Sequence, residues 1–186
     1  MAQITKKRKK SWVKIIAPRE FRNAELGESL VYSPQDLIGK RLNVNLSTLI
    51  GDMRKQNTNI LFKIEEIKGS QAIANIISFE ILPAHIKRMV RTLKDRIDDS
   101  FVVSSKDHPK IRIKPFVLTK AKTSNSILTL IRKRTREEVT KIASKSTFAE
   151  FTIEVISGQL KKQLKQELNK IYPITIFEIR KIELLK

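Results

Sequence analysis

Residues 110–119 read Lys-Ile-Arg-Ile-Lys-Pro-Phe-Val-Leu-Thr, and residues 120–126 continue with Lys-Ala-Lys-Thr-Ser-Asn-Ser. Residues 127–138 then read Ile-Leu-Thr-Leu-Ile-Arg-Lys-Arg-Thr-Arg-Glu-Glu. Alternation in the first piece is typical of a strand, small polar residues in the second indicate a loop, and the third has helical character. The stretch therefore predicts a strand, a basic loop and a basic helix in direct succession.

The strand carries its charge on one face. Ile111, Ile113 and Val117 share one face of a period-two ribbon, whereas Arg112 and Lys114 fall on the other. Because the apolar face packs on a core, we expect the two cations to point away from it.

The loop combines cations with small hydroxyl side chains. Lys120 and Lys122 stand next to Thr123 and Ser124, whose hydroxyls can hydrogen-bond phosphate or ribose oxygens. Ser124 or Ser126 can also cap the following helix, whose first N–H groups favour a nearby anion. Four more cations follow on that helix: Arg132, Lys133, Arg134 and Arg136. A plain solvated helix face is the alternative, but such faces usually mix charges of both signs.

Composition supports an anionic partner. The chain has 186 residues with 38 Lys plus Arg against 19 Asp plus Glu, a net charge of +19 and a pI near 10.3. A polyanion neutralises such self-repulsion most readily, so nucleic acid is the leading partner class. With 40% apolar residues the chain can build a real core, and its length suits one domain over residues 11–186.

The composition does not support a disulfide-bonded protein, a zinc protein or a membrane protein. Cysteine is absent, and two histidines alone cannot make a zinc site. The apolar run from Trp12 to Ala17 is interrupted by Lys14, and no stretch approaches the ~20 apolar residues of a membrane span. We therefore expect a cytoplasmic protein with no membrane contact and no cofactor or bound metal.

Residues 1–10 form a basic arm that we expect to be disordered alone and ordered against a polyanion. Its cations are Lys6, Lys7, Arg8, Lys9 and Lys10. A nuclear localisation signal is the alternative reading. Trp12 follows directly; it is expected to anchor the arm by burial, with stacking on a base as the alternative.

The rest of the chain predicts an α+β protein with an antiparallel, barrel-like sheet. A polar turn region is expected from Gly27 to Gly39, and Pro83 opens a helix whose apolar positions run to Leu93. Four cations cover the rest of that helix and form a second candidate phosphate surface: Lys87, Arg88, Arg91 and Lys94. Further elements are expected as strands at 41–46, 58–67, 97–104, 111–119 and 174–185 and as helices at 147–158 and 160–171.

No catalytic arrangement stands out. Asp95, Asp98 and Asp99 could hold Mg²⁺, but a solvated turn is the simpler reading. Asp107 beside His108 resembles half of a dyad without a nucleophile. Exposed strands with interleaved Phe or Tyr are not evident, which favours recognition of RNA shape and backbone over single-strand readout.

Several short stretches, spread in order over the chain, match one known family: residues 9–18, 37–40, Gly51-Asp52, Lys55-Gln56, 110–115, Thr123-Ser124, 171–173 and 177–181. In these stretches the chain resembles the archaeal and eukaryotic small-subunit ribosomal protein family S-three-a-e, called eS-one in the unified naming. The family tends to have Arg and Gln before Thr-Ser, where this chain has Lys120 and Lys122. The compact length is similar to that of archaeal members.

The resemblance implies a non-enzymatic structural constituent of the small subunit. Its expected partners are small-subunit rRNA, neighbouring ribosomal proteins and mRNA near the exit channel, with Lys55 among the residues that contact RNA. It also implies a place on the subunit platform near the rRNA 3′ end. Two alternatives remain open: a free factor that binds mRNA or DNA, and an RNA-processing enzyme that uses the three aspartates.

Overall fold

The computed structural model describes residues 9–107 and 110–185. Lys6, Lys7, Arg8 and His108, which carry predictions, lie outside these residues. The described chain falls into two compact units. Unit 1 holds the described residues up to Gln56 together with Ile60–Ile77, and unit 2 holds Asn57–Asn59 with the described residues from Ser78 onward.

Unit 1 is built from strands. Its elements are β1 (Ser11–Ile16), β2 (Glu25–Val31), β3 (Arg41–Asn45), helix α1 (Leu46–Ile50), β4 (Thr58–Lys68) and the first part of β5 (Gln71–Ile81). β1 runs antiparallel to β2 and parallel to the start of β5, while β4 pairs with β3 and β5. Gly69, at φ 61°, makes the tight turn between β4 and β5.

The core of unit 1 follows the period-two pattern. Ile60, Phe62 and Ile64 of β4 are fully buried, and the adjacent Glu65 and Glu66 are both exposed, which interrupts the alternation as a bulge would. Other buried side chains come from the flanking elements: Val13, Ile15, Leu37, Leu46, Ala72 and Ala74.

The polar turn region expected from Gly27 to Gly39 is wrong in its first part, because β2 continues to Val31. Among the described strands β2 pairs only with β1, so it is an edge strand, and its Glu25 and Glu28 side chains are exposed. A register shift between Ile15 and Ile16 lies opposite Gly27, whose φ of 146° a residue with a Cβ rarely adopts.

Unit 2 is organised around one long strand. After α2 (Pro83–Met89) come β6 (Arg96–Asp98), β7 (Phe101–Ser104), β8 (Lys110–Thr119), α3 (Asn125–Ala143), α4 (Phe148–Ser157), α5 (Gln159–Asn169) and β9 (Ile174–Leu184). β8 pairs antiparallel with β9 on one side and with β6 and β7 on the other. Residues 78–80 of β5 pair with β9. The predicted succession of strand, loop and helix is confirmed.

α4 and α5 begin and end near their predicted residues. Thr147 and Glu150 form the capping box of α4, and Gly158 ends that helix at φ 80°. Leu160, Leu164 and Leu168 form the buried stripe of α5. Unit 2 also buries Phe116, Ile131, Phe151, Phe177 and Ile182.

The helix expected to bury Leu93 is shorter than predicted. The backbone leaves helical geometry at Val90, and Leu93 is 72% exposed at φ 67°. The chain must turn here, because Asp95 is hydrogen-bonded to the end of β8 through Thr119.

The described strands and helices make a mixed α and β fold with nine strands and five α-helices. Their hydrogen-bonded order is β2-β1-β5 in unit 1 and β5-β9-β8-β6 in unit 2, with β3, β4 and β7 off these paths. Within residues 9–107 and 110–185 this order has free ends, so the barrel-like part of the prediction is not confirmed. The same residues contain no helix long and apolar enough to cross a membrane.

Candidate nucleic-acid interface

Asp95 holds the loop that follows β8. Its backbone N–H donates to Thr119 Oγ1 at 2.9 Å, and its carbonyl accepts from the Thr119 N–H at 3.0 Å. Its Oδ2 accepts from the Thr123 N–H at 2.7 Å. Thr119 is fully buried, and its hydroxyl also donates to the carbonyl of Ala121 at 2.7 Å. The loop between Thr119 and Thr123 is therefore a fixed turn.

Residues 172–175, which lead into β9, fix the other side of the same loop. The Lys120 N–H donates to the Pro173 carbonyl at 3.0 Å, and the Thr175 hydroxyl donates to the Thr119 carbonyl at 3.1 Å. The Tyr172 hydroxyl lies 3.5 Å from the carbonyls of the two residues after Lys120. With the backbone held on both sides, the Lys120 side chain and that of Lys122 remain exposed.

Two further lysines lie beside this loop. Lys94 Nζ donates to Thr175 Oγ1 at 3.2 Å, and Lys165 Nζ of α5 donates to the Thr175 carbonyl at 2.9 Å. Lys94 was predicted as a phosphate contact, whereas the sequence reasoning missed Lys165. Lys165 reaches the loop because α5 packs on β9. The buried Leu160 and Leu164 indicate from the sequence that α5 packs on something, but they do not identify β9 as the element it packs on.

The start of α3 lacks a side-chain cap. The sequence predicted either Ser124 or Ser126 as the cap of this helix. Ser124 is the N-cap residue, but its hydroxyl makes no capping hydrogen bond. Ser126 lies within the first turn. The first N–H groups of α3 therefore face the exposed loop with no cap from the Ser124 side chain.

Two of the four predicted cations of α3 form ion pairs with carboxylates. Arg134 lies 3.7 Å from Glu137 and 3.3 Å from Glu138. Arg136 contacts Asp99 at 3.1 Å. Carboxylates therefore already neutralise both of these guanidinium groups.

Arg132 and Lys133 differ from the other two cations of α3. Both are exposed, and none of the described carboxylates lies within ion-pair distance of either. We call Lys120, Lys122, Arg132 and Lys133 the loop–α3 surface. These four side chains can offer their full charge to an anion.

The cations of and after α2 are also accessible. Lys87 and Arg91 are exposed and have no ion pair within the described chain. Arg88 is exposed too, and its Nη2 donates to Asn57 Oδ1 at 3.1 Å. The second predicted phosphate surface thus keeps three exposed members, and Lys94 belongs to the loop.

The strand cations lie on a different side of β8. Arg136 of α3 stacks at 5.4 Å over the ring of Phe101, whose partner across the sheet is Ile113. Ile113 and Phe101 therefore face α3, and alternation turns Arg112 and Lys114 to the opposite face. Both are half-buried. The structure thus separates these two predicted contacts from the loop–α3 surface.

Unit 1 carries the remaining predicted contacts. Lys9 and Lys10 are exposed, and Lys10 Nζ lies 5.1 Å from the centre of the Tyr32 ring. Lys55 is half-buried at the end of a short 3-10 turn. The expectation that Trp12 contributes mainly burial is wrong, because the side chain is 64% exposed on the outer face of β1.

The three aspartates considered as a Mg²⁺ site have other partners. Asp98 contacts Arg96 at 2.9 Å and Arg180 at 3.7 Å. Asp99 contacts the guanidinium of Arg136. Asp95 accepts from the loop backbone. The described part of the chain contains no cluster of three or more His, Cys, Asp or Glu suited to a metal ion.

Comparison with known proteins agrees with the motifs. The sequence model of the Ribosomal S3Ae family matches residues 3–186. The chain is 30% identical over 177 residues to "Small ribosomal subunit protein eS1" of Nanoarchaeum equitans (strain Kin4-M), covering 95% of this chain and 89% of that protein. The protein of the same name from Saccharolobus islandicus (strain L.S.2.15 / Lassen #1) is 34% identical over 95% of this chain and 85% of its own length. The chain belongs to the Ribosomal S3Ae family.

Proposed function

We propose that this chain is a non-catalytic structural constituent of the small ribosomal subunit and binds rRNA through the phosphate backbone. Its relatives are named small ribosomal subunit proteins and cover nearly its whole length. The observation that carries the mode of binding is the loop–α3 surface. Four exposed cations stand there: Lys120 and Lys122 on a loop whose backbone is held by Asp95 and by the chain at Pro173 and Thr175, and Arg132 and Lys133 on α3.

The chemistry of this surface suits phosphate. Lysine and arginine contact phosphate oxygens regardless of sequence, and such contacts set register and orientation on folded RNA. Because the backbone of the loop is already ordered, little backbone entropy is lost when its lysines meet a phosphate. Lys94 and Lys165 add positive charge beside the loop.

Lys87, Arg88 and Arg91 extend the proposed contact with rRNA. The basic arm at residues 1–10 and Lys55 are proposed as contacts made by unit 1, and Arg112 and Lys114 as contacts from the other face of β8. Cations spread over several faces suit a protein that is surrounded by folded RNA.

A catalytic role finds no support in the contacts of the acidic residues. The three aspartates that could serve metal-dependent chemistry are engaged with arginines or with backbone N–H groups. Carboxylates used in this way stabilise the protein and do not converge on a common point, which metal-assisted phosphoryl chemistry requires.

We further propose that the protein is cytoplasmic and ribosome-bound, on the platform near the rRNA 3′ end and the mRNA exit. Neighbouring small-subunit proteins, and mRNA at the exit, are proposed as additional partners. The motivation for this placement is the resemblance of the sequence to the small-subunit family, whose model matches residues 3–186.

Sedimentation of a cell lysate at high Mg²⁺ tests the proposal. Gradient fractions are probed for the protein with and without a high-salt wash. Stoichiometric migration with the small subunit that survives the wash is the expected result. Recovery in the light fractions would reject the structural role and favour a free nucleic-acid-binding factor.

A further inference from the structure

The outer face of β1 and β2 carries an exposed aromatic cluster. Trp12 is 64% exposed, and its partner across the two strands, Leu30, is 44% exposed. Tyr32 directly follows the last residue of β2 and is 56% exposed, and its ring lies 5.1 Å from Nζ of Lys10, two residues before Trp12. The contact of Lys10 with the Tyr32 ring therefore brings that ring to the end of β1 at which Trp12 stands.

The opposite face of the same strands is packed. Val13 and Ile15 of β1 and Val31 of β2 are at most 6% exposed. The strand alternation therefore already supplies unit 1 with its core, and the outer aromatic side chains are not needed for it. Large apolar side chains that share an exposed face commonly mark a binding site.

Charge is distributed unevenly along this face. At one end Lys14 lies 3.4 Å from Glu25 and 3.7 Å from Glu28, which neutralises the lysine. At the other end Lys10 Nζ lies 5.1 Å from the centre of the Tyr32 ring, and no carboxylate within the described ranges forms an ion pair with it. The aromatic rings thus adjoin the positive end.

Three more cations, Lys6, Lys7 and Arg8, precede this end in the sequence, and Lys9 is exposed beside it. A face that joins aromatic rings to lysines matches the needs of single-stranded RNA, whose bases stack on rings and whose phosphates attract cations. An apolar protein partner would leave the lysines unmatched.

We propose that Trp12 and Tyr32 form a stacking platform for unpaired RNA bases, with Lys9 and Lys10 holding an adjacent phosphate. Lys10 is exposed and its contact with the Tyr32 ring is weak, so its ammonium can move to a phosphate when a base occupies the ring. The inference rests on RNA being the ligand class of the proposed function. It adds contact with bases to contact with the backbone.

Trp12 is the only tryptophan of the chain, so intrinsic tryptophan fluorescence of the full-length protein reports on this site alone. Short oligouridylate is titrated against the protein, alongside an abasic strand of equal length and charge and an RNA duplex. We expect quenching by oligouridylate and much weaker quenching by the abasic strand and the duplex, because only the first offers unpaired bases. Equal quenching by all three, or none, would overturn the proposal.

Variants separate stacking from general apolar contact. In anisotropy titrations with labelled oligouridylate, Trp12→Leu and Tyr32→Leu should each weaken binding roughly 5- to 100-fold, whereas Trp12→Phe should stay near the wild type. Met53→Ala removes another exposed apolar side chain of unit 1 and should change nothing. Unchanged affinity of Trp12→Leu would refute stacking.

Two further results separate this inference from the proposed function and from a protein contact. If Trp12→Leu binds oligouridylate normally but the wild type still sediments with the small subunit, the platform fails and the ribosomal role stands. If the Trp12 fluorescence responds to other small-subunit proteins and not to RNA, the face is a protein contact and the platform is rejected.

Discussion

Removing the two lysines of the loop tests whether the loop–α3 surface contacts phosphate. Lys120→Gln/Lys122→Gln lowers the charge by two at exposed side chains whose backbone is held by Asp95 and β9. Each lost phosphate contact reduces the slope of log K against log salt by about 0.7–0.9, so the double variant should lose about 1.4–1.8.

The slope change converts into affinity. Between about 50 and 200 mM salt, a slope smaller by that amount means that the wild type loses roughly tenfold more affinity than the variant. Filter binding to small-subunit rRNA transcribed in vitro, repeated over this salt range, measures the quantity directly.

A matched control removes the same charge elsewhere. Lys141 and Lys170 are exposed but pair with Glu138 at 3.0 Å and Glu167 at 2.7 Å. Lys141→Gln/Lys170→Gln should leave the salt slope within a few tenths of the wild-type value. Equal slopes for the two double variants would refute the reasoning, because net charge and not the placed surface would then govern binding.

Asp95→Ala should lower the free energy of unfolding by about 1–3 kcal/mol, because the Thr123 N–H loses its acceptor, while Asp95→Asn should cost less; urea unfolding measures both. Thr135→Val should raise stability by about 1 kcal/mol in the same assay, because Thr135 Oγ1 is buried and has no hydrogen-bond partner among the described residues; a loss of stability would contradict this. The backbone and side chain of Thr147 hydrogen-bond to Glu150 and lower its pKa, so this cap stabilises the fold above the ordinary glutamate pKa and is lost as pH falls through the lowered value. The difference in Tm between wild type and Glu150→Ala should therefore narrow as the solution is acidified from pH 6, and a constant difference would argue against the cap.

Much of the fold could be predicted because local signals agree with the packing. Gly69 marks a turn that needs positive φ, Thr147 and Glu150 mark a helix start, and the leucines of α5 mark a buried stripe. Each of these features depends on residues close together in the chain.

The errors come from packing between distant residues. Trp12 is an apolar residue beside Ile15 and Ile16, so its composition suggests burial, but the pairing of β1 with β2 turns it outward. Leu93 continues a helical spacing, yet the bonds between Asp95 and Thr119 end the helix before it. Sequence periodicity contains no information on either partner.

The candidate site divides in the same way. Lys120, Lys122, Arg132 and Lys133 were predicted from their type and are exposed as required. That Arg134 and Arg136 are occupied by carboxylates, and that Lys165 lies beside the loop, depends on ion pairs and helix packing. Whether each cation touches RNA remains a prediction.

The absence of cysteine allows the most direct test of the loop–α3 surface. Ser126→Cys places a single thiol in the first turn of α3, and Ser144→Cys places one just after its far end, about 27 Å away for an 18-residue separation. An Fe(II) chelate tethered at each cysteine cleaves nearby rRNA in reconstituted small subunits. We predict strong, clustered cleavage from position 126 and weaker or different cleavage from position 144. No cleavage from position 126 in subunits that contain the protein would contradict the account.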